Sequence, residues 1–130
     1  MRRLLLALAL LAGTAVAHET KTAGSVQVTL LTNAEDGLRV GAQTVVTVEF
    51  KKKGGGPLAG CRCRVLLYRG TPSARVPPVQ DVRLSALEGG TGRVPLKVDA
   101  PGSYTLVLDG RPPTFGDFDA FRLRYVLEAE

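Results

Sequence analysis

Seven stretches of this chain alternate apolar and polar residues with a period of two, and no other feature constrains its fold as strongly. Val26, Val28 and Leu30 alternate with Gln27 and Thr29, and Val46, Val48 and Phe50 alternate with Thr47 and Glu49. Cys61, Cys63, Val65 and Leu67 share one side, opposite Arg62, Arg64, Leu66 and Tyr68. Val82 and Leu84 alternate with Asp81, Arg83 and Ser85, and Val94, Leu96 and Val98 with Arg93, Pro95 and Lys97. Tyr104, Leu106 and Leu108 form a sixth apolar row, and Phe121, Leu123, Tyr125 and Leu127 a seventh.

Successive side chains of a strand point to opposite faces, so each row is the greasy side of one strand. A single open sheet leaves those sides in water; two sheets packed face to face bury them all. Turn chemistry falls between the rows at Asp36-Gly37, Gly54-Gly55-Gly56-Pro57, Gly89-Gly90, Pro101-Gly102 and Asp109-Gly110. The expected fold is therefore all-β, an immunoglobulin-like β-sandwich of about seven antiparallel strands over residues 25–130. A partly open barrel is the competing architecture. Pro95 cannot donate to a ladder, which places its strand at an edge or at a bulge.

The amino terminus carries a different signal. Arg2 and Arg3 precede an uninterrupted apolar run from Leu4 to Ala12, and Ala15-Val16-Ala17 supplies the small residues of a peptidase site. Residues 1–17 are expected to be a cleavable export signal, followed by a flexible segment at 18–24. The run falls well short of the ~20 residues that span a bilayer, so no transmembrane anchor is expected after processing. Leu11-Ala12-Gly13 resembles the start of a lipobox, but Thr14 stands where a lipid-bearing Cys belongs. The reading is an exported protein, periplasmic or extracellular.

Without Arg2 and Arg3, 15 basic and 12 acidic residues remain, a formal charge of +3. That balance does not point to nucleic acid. The one basic run, Lys51-Lys52-Lys53, precedes three glycines and reads as a solvated turn.

Gly55-Gly56-Pro57-Leu58-Ala59-Gly60-Cys61-Arg62-Cys63-Arg64-Val65 resembles the G-x-P-L-x-G-A-x-V turn and strand of secreted immunoglobulin-like modules. Asp99-Ala100-Pro101-Gly102-Ser103-Tyr104-Thr105-Leu106 is similar to their P-G-x-Y-x-L entry to a late strand, where a Tyr hydroxyl anchors the corner. With Leu38-Arg39-Val40-Gly41, the order across residues 25–127 resembles YtkA-like domains and, more distantly, CopC-type copper carriers. The resemblance implies a sandwich fold. Copper-handling relatives imply Met or His clusters as well, whereas here Met1 is the only Met and His18 the only His.

Three sets of residues carry candidate chemistry. His18, at the expected mature terminus, offers an imidazole and an α-amine to copper, with Glu19 adding weak oxygen donors; a solvated terminus is the competing reading. Cys61 and Cys63, two apart, place both sulfurs on one face of an extended strand, where a disulfide between them is not expected. Together they suit a soft metal such as copper(I), or act as small core hydrophobes. Asp109, Asp117 and Asp119 have the donors of a calcium loop but not its fixed spacing, so a hairpin connection plugged by Phe115 and Phe118 is preferred.

No catalytic set emerges, because a hydrolytic triad needs a base and the sole His sits at the terminus. The expectation is thus a non-enzymatic binding module without a cofactor, engaging a protein or cell-envelope partner. The sheet edge near residues 93–99 is a candidate strand acceptor. A periplasmic copper carrier using His18 or the Cys61/Cys63 pair is the alternative. A ligand-binding sandwich with outward Tyr68 as its platform ranks third, since the chain has no Trp.

Overall fold

A computed structural model describes residues 17–32, 37–84 and 87–130, with side chains from residue 19 onward. The export signal thus lies outside the described residues except for Ala17, as do Asp36 and Ser85. The described residues form eight strands: β1 (Ala17–Ala23), β2 (Val26–Thr32), β3 (Thr44–Lys52), β4 (Arg62–Arg69), β5 (Gln80–Leu84), β6 (Thr91–Leu96), β7 (Gly102–Arg111) and β8 (Phe121–Ala129).

They pair into two antiparallel sheets, ordered β1-β2-β3-β6 and β5-β4-β7-β8. The chain crosses between sheets from β3 to β4, returns from β5 to β6, and crosses again to β7. This is an all-β sandwich, and its core has the expected origin. Val28, Val46, Val48, Phe50, Val94 and Leu96 of the first sheet are buried together with Val65, Leu67, Leu106, Leu108 and Tyr125 of the second. All seven apolar rows contribute to that cluster.

Two expectations need correction. The seven apolar rows are joined by one further strand, because residues 18–24, expected to be a flexible segment, lie in β1 (Ala17–Ala23) and the turn after it. Strand β1 pairs with β2 along its whole length, from Ala17 opposite Thr32 to Ala23 opposite Val26. It lacks an apolar row, and it is held by its ladder to β2 and by Lys21, whose ammonium donates to the Arg124 carbonyl and lies 5.1 Å from the Tyr125 ring centre on β8. The second correction concerns Phe115 and Phe118. Phe118 is buried, 6.0 Å from the Phe121 ring, whereas Phe115 is fully exposed.

The corner before β7 matches expectation. The Tyr104 hydroxyl donates to the Ala100 carbonyl at 2.6 Å, holding the Pro101-Gly102 turn against the start of the strand.

Candidate functional site

The two cysteines stand where the chain leaves a glycine-rich turn. Gly54, Gly55 and Gly56 all have positive φ, which glycine adopts without steric cost, and they swing the chain from β3 toward β4. Cys63 lies within β4, but Cys61 precedes it: the ladder to β7 begins one residue later, at Arg62 opposite Arg111. Both are nearly fully buried, in the inner row with Val65 and Leu67.

They are joined as a disulfide, with Cα atoms 5.3 Å apart. This overturns the expectation of an unbridged pair. A fully extended chain spaces residues i and i+2 by about 6.6 Å, near the upper end of what a disulfide spans. Cys61, outside the ladder, is free to draw in. In the oxidised state neither sulfur is a thiolate, so metal ligation by this pair requires its reduction.

The bridge closes a loop of only three residues, so loop entropy assigns it about 1.5 kcal/mol. Reduction is accordingly expected to lower stability by about that amount and leave the fold intact. Urea unfolding with and without reductant measures it. A reduced protein that is unfolded in buffer would contradict this account.

The other candidate metal ligands are apart. His18 lies opposite Leu31 near the start of β1, on the edge of the first sheet. The cysteine pair belongs to the second sheet, level with Gly110 and Phe121. Asp109 faces Arg122 (3.6 Å), Asp117 faces Lys52 (3.3 Å), and Asp119 lies beside Gly24. The three carboxylates therefore serve three different neighbours. Among the described residues, no group of three or more His, Cys, Asp or Glu is placed to hold a metal ion.

The edge near residues 93–99 is β6, an edge strand, the first of the two placements that Pro95 allowed. Its outward groups are largely occupied. The Gln80 side chain donates from Nε2 to the Pro95 carbonyl at 3.2 Å and accepts the Lys97 amide on Oε1 at 2.7 Å. Thr91 and Glu88 exchange backbone hydrogen bonds at the strand's start. Backbone groups alternate in direction along a strand, so Arg93 is the described residue left with unpaired outward groups. An edge capped in this way is poorly suited to accept a partner strand.

Sequence reasoning passed over a larger feature, the outer face of the second sheet. Register places its side chains in rows across the four strands. Arg62 stands opposite Arg111; Arg83, Arg64, Asp109 and Arg122 share the next row. Asp81, Leu66, Val107 and Arg124 follow, then Tyr68, Thr105 and Val126, and last Ser103 opposite Glu128. The six arginines are all exposed, Leu66 and Val107 are buried between them, and Val126 is open to solvent.

Two arginines are paired within the face. Arg64 forms a two-pronged contact with Asp81, and Arg122 approaches Asp109. Hydrogen bonding to Arg64, with its charge, holds the Asp81 carboxyl below the usual carboxylate range; the same bond raises the Arg64 guanidinium. Glu128 accepts from the Ser103 hydroxyl at 2.9 Å. Arg62, Arg83, Arg111 and Arg124 have no ion-pair partner among the described residues. The signal was present in the sequence as the alternating pairs Arg62/Arg64 and Arg122/Arg124, with single arginines at 83 and 111, but only register shows that they converge.

Fold and surface together define a β-sandwich with a filled interior and an ionic outer face. It resembles the soluble domain of PmoD from Methylocystis sp. (Rockwell), with a TM-score of 0.52 and 10% identity over 85% of this chain and 96% of that one. At that identity the likeness speaks to fold alone. No protein-family model matches the chain, and no curated protein does.

Proposed function

We propose that this chain is an exported, non-catalytic immunoglobulin-like binding module that engages a protein or cell-envelope partner. One observation carries the reading: the polar chemistry of the fold is displayed on a broad, exposed sheet face, while the interior is packed with apolar side chains. An exposed, arginine-bearing surface with Tyr68 and Val126 at its margin is suited to contact another macromolecule. Export rests on the leader-like residues 1–17.

In-cell cross-linking of the full chain, expressed with its leader in an exporting host, tests the proposal. The expected result is a discrete cross-linked species in the exported fraction. A protein retained in the cytoplasm, or one exported with no cross-linked species, overturns it.

A second reading, copper binding, is favoured by one observation: the two sulfurs are already side by side at one end of the sandwich. It requires the reduced pair, or the amine and imidazole of His18 at a processed terminus. Copper titration of reduced, oxidised and His18→Ala proteins separates the two sites. Equal affinity in all three eliminates both.

A further inference from the structure

The cations on the second sheet's outer face are all arginines, although Arg39, Arg69, Arg75 and Arg93 lie elsewhere among the described residues. None of the chain's five lysines stands there: Lys21, Lys51 and Lys52 belong to the first sheet, Lys53 to the turn after β3, and Lys97 follows β6. Six arginines face three carboxylates, and all three carboxylates already have partners within the face. Four guanidinium forks are left over: Arg62 and Arg111 at one end, Arg83 on one flank and Arg124 on the other.

A lysine ammonium serves as a point charge in water, whereas a guanidinium presents a planar fork that matches a carboxylate in two bonds. Leu66 and Val107 are buried beneath the arginines, while half-buried Tyr68 and largely exposed Val126 stand in the next row, beyond Arg124. Arginine and tyrosine side chains displayed together on one face are residues that protein interfaces favour.

We infer that this face, through Arg62, Arg83, Arg111 and Arg124, is the docking surface for an acidic protein partner that supplies carboxylates to those four forks. The inference rests on the binding-module reading and names its surface and partner chemistry. Charge complementarity selects the occupant. A second copy of this face brings the same excess of cations against itself and is repelled. A bilayer presents a uniform plane of phosphate, against which Asp81 and Asp109, set among the arginines, are misplaced. A folded protein can set its carboxylates opposite the free forks and spare those two positions.

The test uses the full-length exported protein and poly-L-glutamate as probe, with anionic vesicles of phosphatidylcholine and phosphatidylglycerol alongside. One variant replaces Arg62, Arg83, Arg111 and Arg124 by Gln; a control replaces Lys51, Lys52, Lys53 and Lys97 by Gln and removes the same charge. Both sets of positions are exposed, and circular dichroism verifies that each variant folds. The arginine variant is expected to bind poly-L-glutamate at least about tenfold more weakly, and the lysine control within about threefold of native at moderate salt. Equal losses reduce the effect to net charge and overturn the inference. So does tighter binding to vesicles than to polyglutamate. In cells, a cross-linked species that survives in the arginine variant sinks this inference while leaving the binding-module reading standing; absence of that species from the native protein sinks the latter.

Discussion

Tyr125→Ala is expected to cost about 3–5 kcal/mol, the range for removing a large aromatic from a packed core. Tyr125 on β8 is fully buried, and its hydroxyl donates to the Val28 carbonyl on β2 at 3.0 Å. That bond ties the second sheet to the first. Tyr125→Phe keeps the ring and loses the bond, for about 1–2 kcal/mol. Chemical denaturation of the two variants separates packing from hydrogen bonding. A Phe variant as unstable as the Ala variant would refute this division.

The same residue predicts an alkaline response. Burial, with a smaller effect of the Glu19 charge, pushes the Tyr125 phenol well above its ordinary value. The fold therefore keeps the proton after the unfolded chain, near pH ~10, has begun to release it. The folded state then binds more protons than the unfolded one, so stability falls as pH rises from about 10 toward the folded value. Below that window the contribution is fully present. Tyr125→Phe should show a shallower alkaline loss; an unchanged slope would assign the effect to other groups.

The second large effect is expected at Gly110. In β7 it lies opposite Phe121, and an added Cβ would fall inside 3.0 Å of three atoms of the Phe121 ring. That ring has little room to move, with Phe50 at 6.2 Å and Phe118 at 6.0 Å between centroids. Gly110→Val is expected to destabilise by about 3 kcal/mol through overpacking. Pairing it with Phe121→Leu, which shortens the obstructing side chain, should recover at least about 1 kcal/mol of the summed single losses. Additive losses would place the strain elsewhere.

Several features of the fold are legible in the order of residues alone. Rows such as Val46, Val48 and Phe50 are inward-facing strand positions because a strand turns successive side chains to opposite faces. Pro95 marks an edge or a bulge by its missing donor, of which the fold takes the edge, and Pro101-Gly102 with Tyr104 marks the corner. Each of these inferences uses neighbours within a few residues. Strand β1 escapes such reading for the converse reason: Glu19, Thr20, Lys21 and Thr22 carry no apolar row, and the strand is held by its ladder to β2 and by Lys21, which reaches the Arg124 carbonyl and the Tyr125 ring of β8.

The cysteine pair shows the same boundary at finer scale. Spacing places both sulfurs on one face, correctly, yet the disulfide depends on where β4 begins, which its pairing with β7 decides. The arginine face depends on tertiary structure altogether. Arg64 and Arg83 are 19 positions apart, and Arg122 lies further still along the chain, but register sets them in one row. By itself the sequence determined which side of seven strands is apolar and that those sides must be buried against one another, because those are properties of local periodicity and of water's exclusion from apolar surface. That they close as two sheets and not as a partly open barrel was decided by the strand pairing. Which strands became neighbours, and so which charges share a face, was decided only by the folded chain, because pairing between distant segments is set by how the whole core packs.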